Sequence, residues 1–262
     1  MSVPALSKGE VRNRALIVSV ENFHPGVGLA KRLGAGRDTK RLHRILSQRG
    51  FQVTILNDPD AHEILEAFEA ECEASVGSCF VAVVSSHGEE GLIFGADGHP
   101  VKLADIYTLF RGATMTSKPK LFLIQACRGS KLDEGVQVEV DSVDLSEEAT
   151  IFETLYIPPE TVVAYATPPG YSAFMHPTGS VFLQTFCDLV EDGTDWEISR
   201  LLTRLNWHVA HEFEARGNAL RGKKEMPCFI SRLTSEFYPF TNSIRVSQLL
   251  GSTHVSCRSS IR

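Results

Sequence analysis

Several features are absent from this sequence of 262 residues, and each absence excludes a class of protein. There is no run of 18 or more apolar residues, so no membrane-spanning helix is expected. The first 20 residues lack a long apolar run behind a basic start, so no signal peptide is expected. Positive charge is not in excess, since the net charge is −6, and this argues against nucleic acid or a membrane surface as a partner.

Paired cysteine spacings are also lacking. The six cysteines are scattered, and most lie in apolar segments: Cys72, Cys79, Cys127, Cys187, Cys228 and Cys257. Neither a disulfide framework nor a metal site is therefore predicted, and we expect no cofactor. A reducing, cytoplasmic compartment fits this pattern. The hydrophobic content of 43% is typical of a globular protein with a sizeable core.

Short apolar runs alternate with amphipathic segments along the chain. The runs predict strands at Ala15–Val20, Phe51–Leu56, Cys79–Ser85, Lys120–Gln125, Val162–Thr167 and Cys228–Leu233. Strands that are apolar throughout, with helices between them, indicate a mostly parallel sheet covered on both faces. The predicted fold class is therefore α/β.

Helix signals lie between the strands. Asp38 is predicted to cap a helix that stops at Gly50, and Asp60 with Glu63 resembles a capping box. Further helices are expected near Leu103–Phe110, around Ser180–Val190 and from Asp195. A turn at Ala96-Asp97-Gly98 predicts a hairpin before the third of these five helices.

Two segments lack periodicity. Between Leu132 and Glu160 there are nine acidic residues and no basic one, which predicts a long functional or disordered loop. Residues 241–262 are polar and Ser-rich, and they are predicted to be a disordered tail.

The strongest chemical signal is Gln125-Ala126-Cys127-Arg128-Gly129, at the carboxyl end of a predicted buried strand. In open α/β sheets that end faces the crevice where ligands bind. Most cysteines are small buried hydrophobes. Cys127 is instead predicted to be a nucleophile, because five consecutive positions match a catalytic signature and a thiolate there needs only access and a nearby base.

His87 is the predicted base. It follows another buried strand, which a βαβ arrangement places beside the strand of Cys127. Two parallel strands that end side by side can bring an imidazole and a thiol together. Gly88 has no Cβ, so its N–H can approach a reacting carbonyl and join that of Cys127 in an oxyanion hole. A plain turn glycine is compatible with the same pattern.

Four segments together resemble the caspase family, especially its executioner branch. They are SSHGEEG (85–91), KPKLFLIQACRG (118–129), IPPETVVAYATPPGY (157–171) and KKEMPCFISRL (223–233), and the resemblance runs from about Arg14 to Phe240. It implies a twisted six-stranded sheet, cleavage of protein substrates after aspartate, and a homodimer of large and small subunit pairs.

The resemblance also implies roles for single residues. Cys127 would be the nucleophile and His87 the acid–base, with its imidazole bonded to the backbone carbonyl of Ala30. Arg32 and Gln125 would bind the carboxylate of the substrate's aspartate. An arginine suits this task, because its planar fork can bind a carboxylate with two hydrogen bonds.

One part of the family pattern is missing. Caspases place a third substrate-binding residue, an arginine, where this chain has Met175, and no lysine or arginine occurs between Lys131 and Arg200. Ser172 replaces an aromatic wall of the neighbouring subsite, while Phe174 keeps its aromatic partner. His176 is the one titratable base nearby, and in its protonated form it would partly replace the missing cation.

The resemblance divides the chain into a large and a small subunit. The predicted segments are a short N-terminal segment (1–13), a large subunit (14–141), a linker (142–156), a small subunit (157–240) and the tail (241–262). Asp141 and Asp144 end tetrapeptides that resemble caspase substrates. The N-terminal segment is too short for a death-fold recruitment domain. This fits a zymogen that another caspase activates by cutting the linker.

The function predicted from the sequence is therefore an aspartate-directed cysteine endopeptidase. Two alternatives stay open because of Met175 and Ser172. One is a weakly active or non-catalytic caspase-like regulator, and the other is a protease with altered preference for the residue before the cleaved bond and its neighbour.

Overall fold

A six-stranded sheet forms the centre of the protein. The structure is a computed structural model that describes residues 11–74, 76–133, 156–216 and 220–241. The sheet order is β2-β1-β3-β7-β8-β9. Its strands are β1 (Arg14–Ser19), β2 (Gln52–Asn57), β3 (Phe80–Ser85), β7 (Lys120–Gln125), β8 (Thr161–Tyr165) and β9 (Cys228–Ser231). All neighbours are parallel except β9, which runs antiparallel to β8, so the predicted mostly parallel sheet is confirmed.

A small antiparallel sheet follows β3. It contains β4 (Gly88–Glu89), β5 (Leu92–Phe94) and β6 (Pro100–Lys102). The predicted turn connects β5 to β6, where Gly98 adopts a φ of 77°, a backbone conformation that favours glycine. This small sheet begins at the residue after His87 and therefore fixes the direction in which the chain leaves that residue.

Five helices in the described part of the chain cover the central sheet. They are α1 (Ala35–Gln48), α2 (Ala61–Glu73), α3 (Leu103–Leu109), α4 (Val181–Glu191) and α5 (Ile198–Glu212). Alternate strand residues enter two separate cores. Ile17 and Val83 pack with α1, α4 and α5, whereas Leu16 and Val84 pack with α2 and α3. Both faces of the sheet are buried along the four inner strands, which explains why β1, β3, β7 and β8 are mostly apolar.

At the starts of α1 and α2, one prediction from the sequence is confirmed and one is wrong. α2 has the predicted capping box: Glu63 N–H donates to the Asp60 carboxylate at 2.8 Å, and Asp60 N–H donates to the Glu63 carboxylate at 2.9 Å. The prediction that Asp38 caps α1 is wrong. That helix begins at Ala35 after Gly34, whose φ is 105°, and Asp38 is buried within its first turn.

Asp38 has a tertiary role instead. Its carboxylate accepts hydrogen bonds from Ser180 N–H (2.9 Å), Ser180 Oγ (2.8 Å) and Gln184 Nε2 (2.5 Å). A β-carbon on Gly34 would lie 2.0 Å from the carbonyl oxygen of His176, so only glycine fits there. The start of α1 is thus joined to the segment that leads into α4.

Some sequence predictions lie outside the described residues. These are the processing sites Asp141 and Asp144, nearly all of the linker, and the tail beyond residue 241. Among the helices that the structure describes, none is long and apolar enough to cross a membrane.

Candidate active site

The predicted nucleophile and base lie at the carboxyl ends of neighbouring strands. β3 and β7 are parallel, and their last residues, Ser85 and Gln125, are paired in register. Ser86 N–H extends the pairing by donating to the Gln125 carbonyl at 3.2 Å. His87 and Cys127 each follow two residues after these paired ends, so the sheet itself brings imidazole and thiol to one cleft, which both line.

His87 has a defined orientation. Its Nε2 lies 2.8 Å from the carbonyl oxygen of Ala30, the contact that the family resemblance implies. The Phe23 ring packs on the imidazole with 5.1 Å between centroids. Burial lowers the pKa of His87 below its usual value; the Ala30 carbonyl opposes this shift, and the Arg32 charge adds to it. A neutral imidazole that donates from Nε2 has Nδ1 left as the nitrogen that can accept a proton.

Cys127 is partly exposed in the cleft. Its Sγ accepts a hydrogen bond from Ala173 N–H at 3.4 Å. Three other cysteines are in environments that disfavour the thiolate, because burial raises the pKa of Cys72, Cys79 and Cys187 to about 12. Nucleophilic chemistry is therefore favoured at Cys127 over these three thiols.

Gly88 has space for no larger residue. A β-carbon there would lie 2.6 Å from the Leu92 carbonyl oxygen and 3.0 Å from that of Cys127. A side chain at this position would therefore collide with the backbone of Leu92 and Cys127, so the close packing beside Cys127 needs glycine here.

Arg32 and Gln125 form the polar base of the cleft. Arg32 is 6% exposed, and it donates to the Val20 carbonyl at 2.7 Å and to Ser85 Oγ at 3.0 Å. Burial lowers its pKa to about 10, so the guanidinium stays charged at neutral pH. Gln125 is 1% exposed, and its Oε1 has no hydrogen-bond partner among the described residues. Gln125 Nε2 donates to the Phe174 carbonyl at 3.4 Å, so the unpaired oxygen can accept from a substrate donor, while the buried cation suits an anionic substrate group.

The opposite wall is a loop without positive charge. Ala173, Met175 and Pro177 line the cleft from this side. Phe174 packs against Phe213 with 5.2 Å between ring centroids, and Ser172 Oγ donates to the Gly129 carbonyl at 3.1 Å. Met175 thus lines the cleft at the position where the family resemblance implies an arginine, and among the described residues of this wall no lysine or arginine lines the cleft.

His176 does not take the place of that cation. Its Nδ1 lies 2.7 Å from Thr178 Oγ1, and the imidazole is exposed. The residues that line the cleft include Met175 and Pro177, its two neighbours in sequence, and do not include His176. The expectation that a protonated His176 partly replaces the missing cation therefore finds no support in this geometry.

Two residues that the sequence did not single out shape the site. Arg128 is 3% exposed; its guanidinium lies 4.1 Å from the Tyr165 ring centroid and donates to Glu90 at 2.5 Å. Glu225 is 1% exposed and accepts a hydrogen bond from Phe174 N–H at 2.7 Å. Both residues lie in segments that resemble the caspase family, and this is the signal that the sequence offers for them. A buried ionisable group needs polar partners, and only the folded structure shows which residues these are.

Comparison with known proteins identifies relatives of this architecture. The family model described as "Caspase domain" matches residues 12–238. The chain is 38% identical to caspase-7 of Gallus gallus over 236 residues, covering 86% of this chain and 76% of that protein. It is 36% identical to caspase-3 of Bos taurus over 232 residues, covering 85% and 82%. A crystal structure of caspase-1 from Spodoptera frugiperda superposes with a TM-score of 0.76 at 27% identity, covering 92% of this chain and 98% of that one.

Proposed function

The chain belongs to the caspase family, and we propose that it is a cysteine endopeptidase that cleaves peptide bonds after aspartate. The observation that carries this proposal is the position of Cys127 and His87 at paired strand ends, beside a buried Arg32. Family membership supports peptidase chemistry, and the charged base of the cleft supports an acidic residue before the cleaved bond.

In the proposed mechanism, Nδ1 of neutral His87 takes the proton of the Cys127 thiol. The thiolate attacks the carbonyl carbon of the cleaved bond, and the N–H groups of Gly88 and Cys127 stabilise the oxyanion. Imidazolium then donates its proton to the departing amine, and a thioester remains on Cys127. Water, deprotonated by His87, hydrolyses the thioester and releases the carboxylate product.

Aspartate is bound in this proposal by Arg32 and Gln125. Arg32 already donates to Val20 and Ser85, which fixes the guanidinium before substrate arrives. A pre-oriented guanidinium loses little conformational entropy when it binds a carboxylate. Because Met175 contributes no charge, we expect activity on ordinary aspartyl tetrapeptides to be weak.

The uncharged loop wall also favours two other candidate functions. A protease with altered substrate preference, or a caspase-like regulator without catalysis, would need no cation at Met175. Intact Cys127, His87 and Gln125 argue against the regulator, because a chain without catalysis does not need them.

Maturation and assembly are part of the proposal. Cleavage after Asp141 or Asp144 by another caspase would separate the subunits and let the loops of the cleft settle into their binding geometry. Strand β9 is at the edge of the sheet and has one described neighbour, β8, which supports a homodimer formed through the small subunits. A cytoplasmic location and a role in cell death fit the executioner-like sequence.

The test is a positional peptide library on processed protein, together with mass mapping after brief treatment with an aspartyl fluoromethyl ketone. The proposal predicts selective labelling of Cys127 and a preference for aspartate. Selective labelling of Cys127 together with a preference for a residue other than aspartate would establish the protease with altered substrate preference. Equal labelling of Cys127 and Cys72, without cleavage, would establish the regulator.

The processing sites are tested on the zymogen. The Asp141→Ala, Asp144→Ala double variant should stay a single chain when an active executioner caspase is added, whereas the parent chain should be cut and gain activity. A double variant that is cut and activated like the parent would show that the processing sites lie elsewhere.

A further inference from the structure

Glu225 is a buried carboxyl that directly contacts the loop wall of the cleft. It lies three residues before β9, and Oε2 accepts from Phe174 N–H at 2.7 Å. Its other oxygen, Oε1, is buried and has no hydrogen-bond partner among the described residues. A buried carboxyl with a single donor is costly to ionise.

The bonded amide belongs to the part of the loop that faces the nucleophile. Ser172 N–H donates to the Lys131 carbonyl at 2.8 Å, Ala173 N–H to Cys127 Sγ, and Phe174 N–H to Glu225. Cys127 and Glu225 therefore bind successive amides of one short segment. Any change in the bond to Glu225 is transmitted over a single residue to the wall beside the thiol.

The surroundings of Glu225 favour its neutral form. Burial raises its pKa to about 8, against the opposing effect of the Phe174 amide. Lys224, the residue before it, is directed to another partner, since its Nζ donates to the Phe213 carbonyl at 2.9 Å. Other ionisable groups on the segments bonded to this region are Cys127, Lys131, Asp133, Glu214 and Lys223.

Asp38, which contacts the far end of the same segment, has more donors. Its two oxygens accept three hydrogen bonds, from Ser180 and Gln184. Burial raises the pKa of Asp38 too, but these bonds and the Arg32 charge oppose the shift. Two buried carboxyls thus bracket residues 172–180, and the one nearer Cys127 is the one with a single donor.

We propose that Glu225 is a positioning residue whose neutral carboxyl fixes the loop Ser172–Met175 against Cys127, so that its ionisation at alkaline pH loosens this wall and weakens substrate binding. The inference rests on the proposed function in one respect, namely that substrate binds along this loop. An ionised Glu225 needs water or a cation, and it reaches either only if the surrounding segment opens.

The first test compares kcat and KM between pH 7 and pH 9.5 for the parent, Glu225→Gln and Glu197→Gln. Glutamine keeps an acceptor for Phe174 N–H and cannot ionise, whereas Glu197 is the N-cap of α5, where its carboxylate accepts from Ser199 N–H and Arg200 N–H. We expect KM of the parent and of Glu197→Gln to rise about tenfold with pH, the effect of about 1.4 kcal/mol, with kcat changed far less. In Glu225→Gln, KM should stay level. Parallel KM profiles for the parent and Glu225→Gln would overturn the proposal.

A second readout does not depend on activity. Amide hydrogen exchange of the peptide that contains residues 172–176 should accelerate in the parent at pH 9.5, relative to Glu225→Gln at the same pH, because the comparison cancels the intrinsic rate. Exchange that is equal in the two proteins would contradict the role of Glu225 even if the parent cleaves peptides. If the parent cleaves nothing but exchange differs, the proposed function fails and the positioning role stands.

Discussion

The two walls of the cleft are built by different means. One, the strand-end wall, contains His87, Gln125 and Cys127 at or just after the ends of β3 and β7, and also Arg32, which donates to Ser85 at the end of β3. The other, the loop wall, consists of Ala173, Met175 and Pro177. Every residue of β3 and β7 is buried, so the strand-end wall is fixed by the core of the protein. The loop wall depends on hydrogen bonds to its own backbone.

This difference separates the part of the site that the core holds in place from the part that can vary. Side chains at the ends of buried strands cannot move without disturbing the sheet, because close-packed cores tolerate little displacement. The thiol, the imidazole and the buried guanidinium all belong to that wall. Met175 belongs to the loop, where a side chain can change without disturbing the core. The departure from the family pattern therefore falls on the wall that can accept it.

Removing the imidazole from the strand-end wall should have the largest effect. We expect His87→Ala to lower kcat/KM by about 10²–10⁴-fold, the usual contribution of a general acid–base. The rate at which iodoacetamide labels Cys127 at pH 7 should fall as well. Because burial lowers the pKa of His87, the acid limb of the parent's kcat/KM profile should lie below pH 6.5.

A matched control for this variant is His208→Ala, since His208 lies on α5 and pairs with Glu212. This control should retain the parent's kcat/KM. If His87→Ala kept labelling and turnover at the parent's level, the acid–base assignment would be wrong.

Removing the buried cation should have the next largest effect. Arg32→Ala should lose about 30- to several-thousand-fold in kcat/KM on an aspartyl peptide, corresponding to about 2–5 kcal/mol for a buried charge pair. Arg32→Lys retains the positive charge but lacks the planar guanidinium that can donate two hydrogen bonds to one carboxylate. Its loss of kcat/KM should therefore be smaller than that of Arg32→Ala but still present. Arg37→Ala, an exposed arginine of α1, is the control.

The comparison of substrates tests whether this effect belongs to recognition. The loss in Arg32→Ala should be large for aspartate before the cleaved bond and small for asparagine, whose side chain carries no charge. An equal loss on both peptides would mean that Arg32 acts through folding of the cleft, for example through its bond to Ser85.

The strand-end wall is the part of the site that the sequence predicts well. Continuous apolar runs define β3 and β7, and their parallel pairing is expected from the helix between them. His87 and Cys127 are then placed together by counting from the strand ends. These two residues can be identified from the local sequence, because each lies two positions after the apolar strand that positions it.

Long-range polar contacts could not be predicted in the same way. Asp38 looks like a helix cap in the sequence, yet its partners lie more than 140 residues away in Ser180 and Gln184. Glu225 looks like a surface residue after two lysines, and only the packing around β9 buries it. Whether a single polar residue is buried depends on its neighbours in the folded structure. The hydrophobic periodicity of the sequence does not identify those neighbours.

Supplying a cation to the loop wall should sharpen the comparison. Met175→Arg places a guanidinium opposite Arg32 on a residue that lines the cleft. We expect kcat/KM on an aspartyl peptide to rise at least about 30-fold, the lower end of the value of one buried charge pair. Met175→Gln, which adds length and polarity without charge, is the control. A variant that still labels at Cys127 but gains nothing would indicate a loop built for another substrate.

The smallest expected effect is at His176. From the sequence, a protonated His176 is predicted to bring a cation to the loop wall and to improve aspartate cleavage as the pH falls toward 6. Its imidazole, however, is bonded to Thr178 and lies outside the set of residues that line the cleft. We therefore expect His176→Asn to change kcat/KM by less than about twofold at every pH from 6 to 8, an effect of less than about 0.4 kcal/mol. The measurement is a pH series with one aspartyl peptide, run in parallel on Met175→Arg as a positive control for added charge. A selective loss of cleavage near pH 6 in His176→Asn would show that the imidazole reaches the substrate, and the loop wall would then carry a titratable cation of its own.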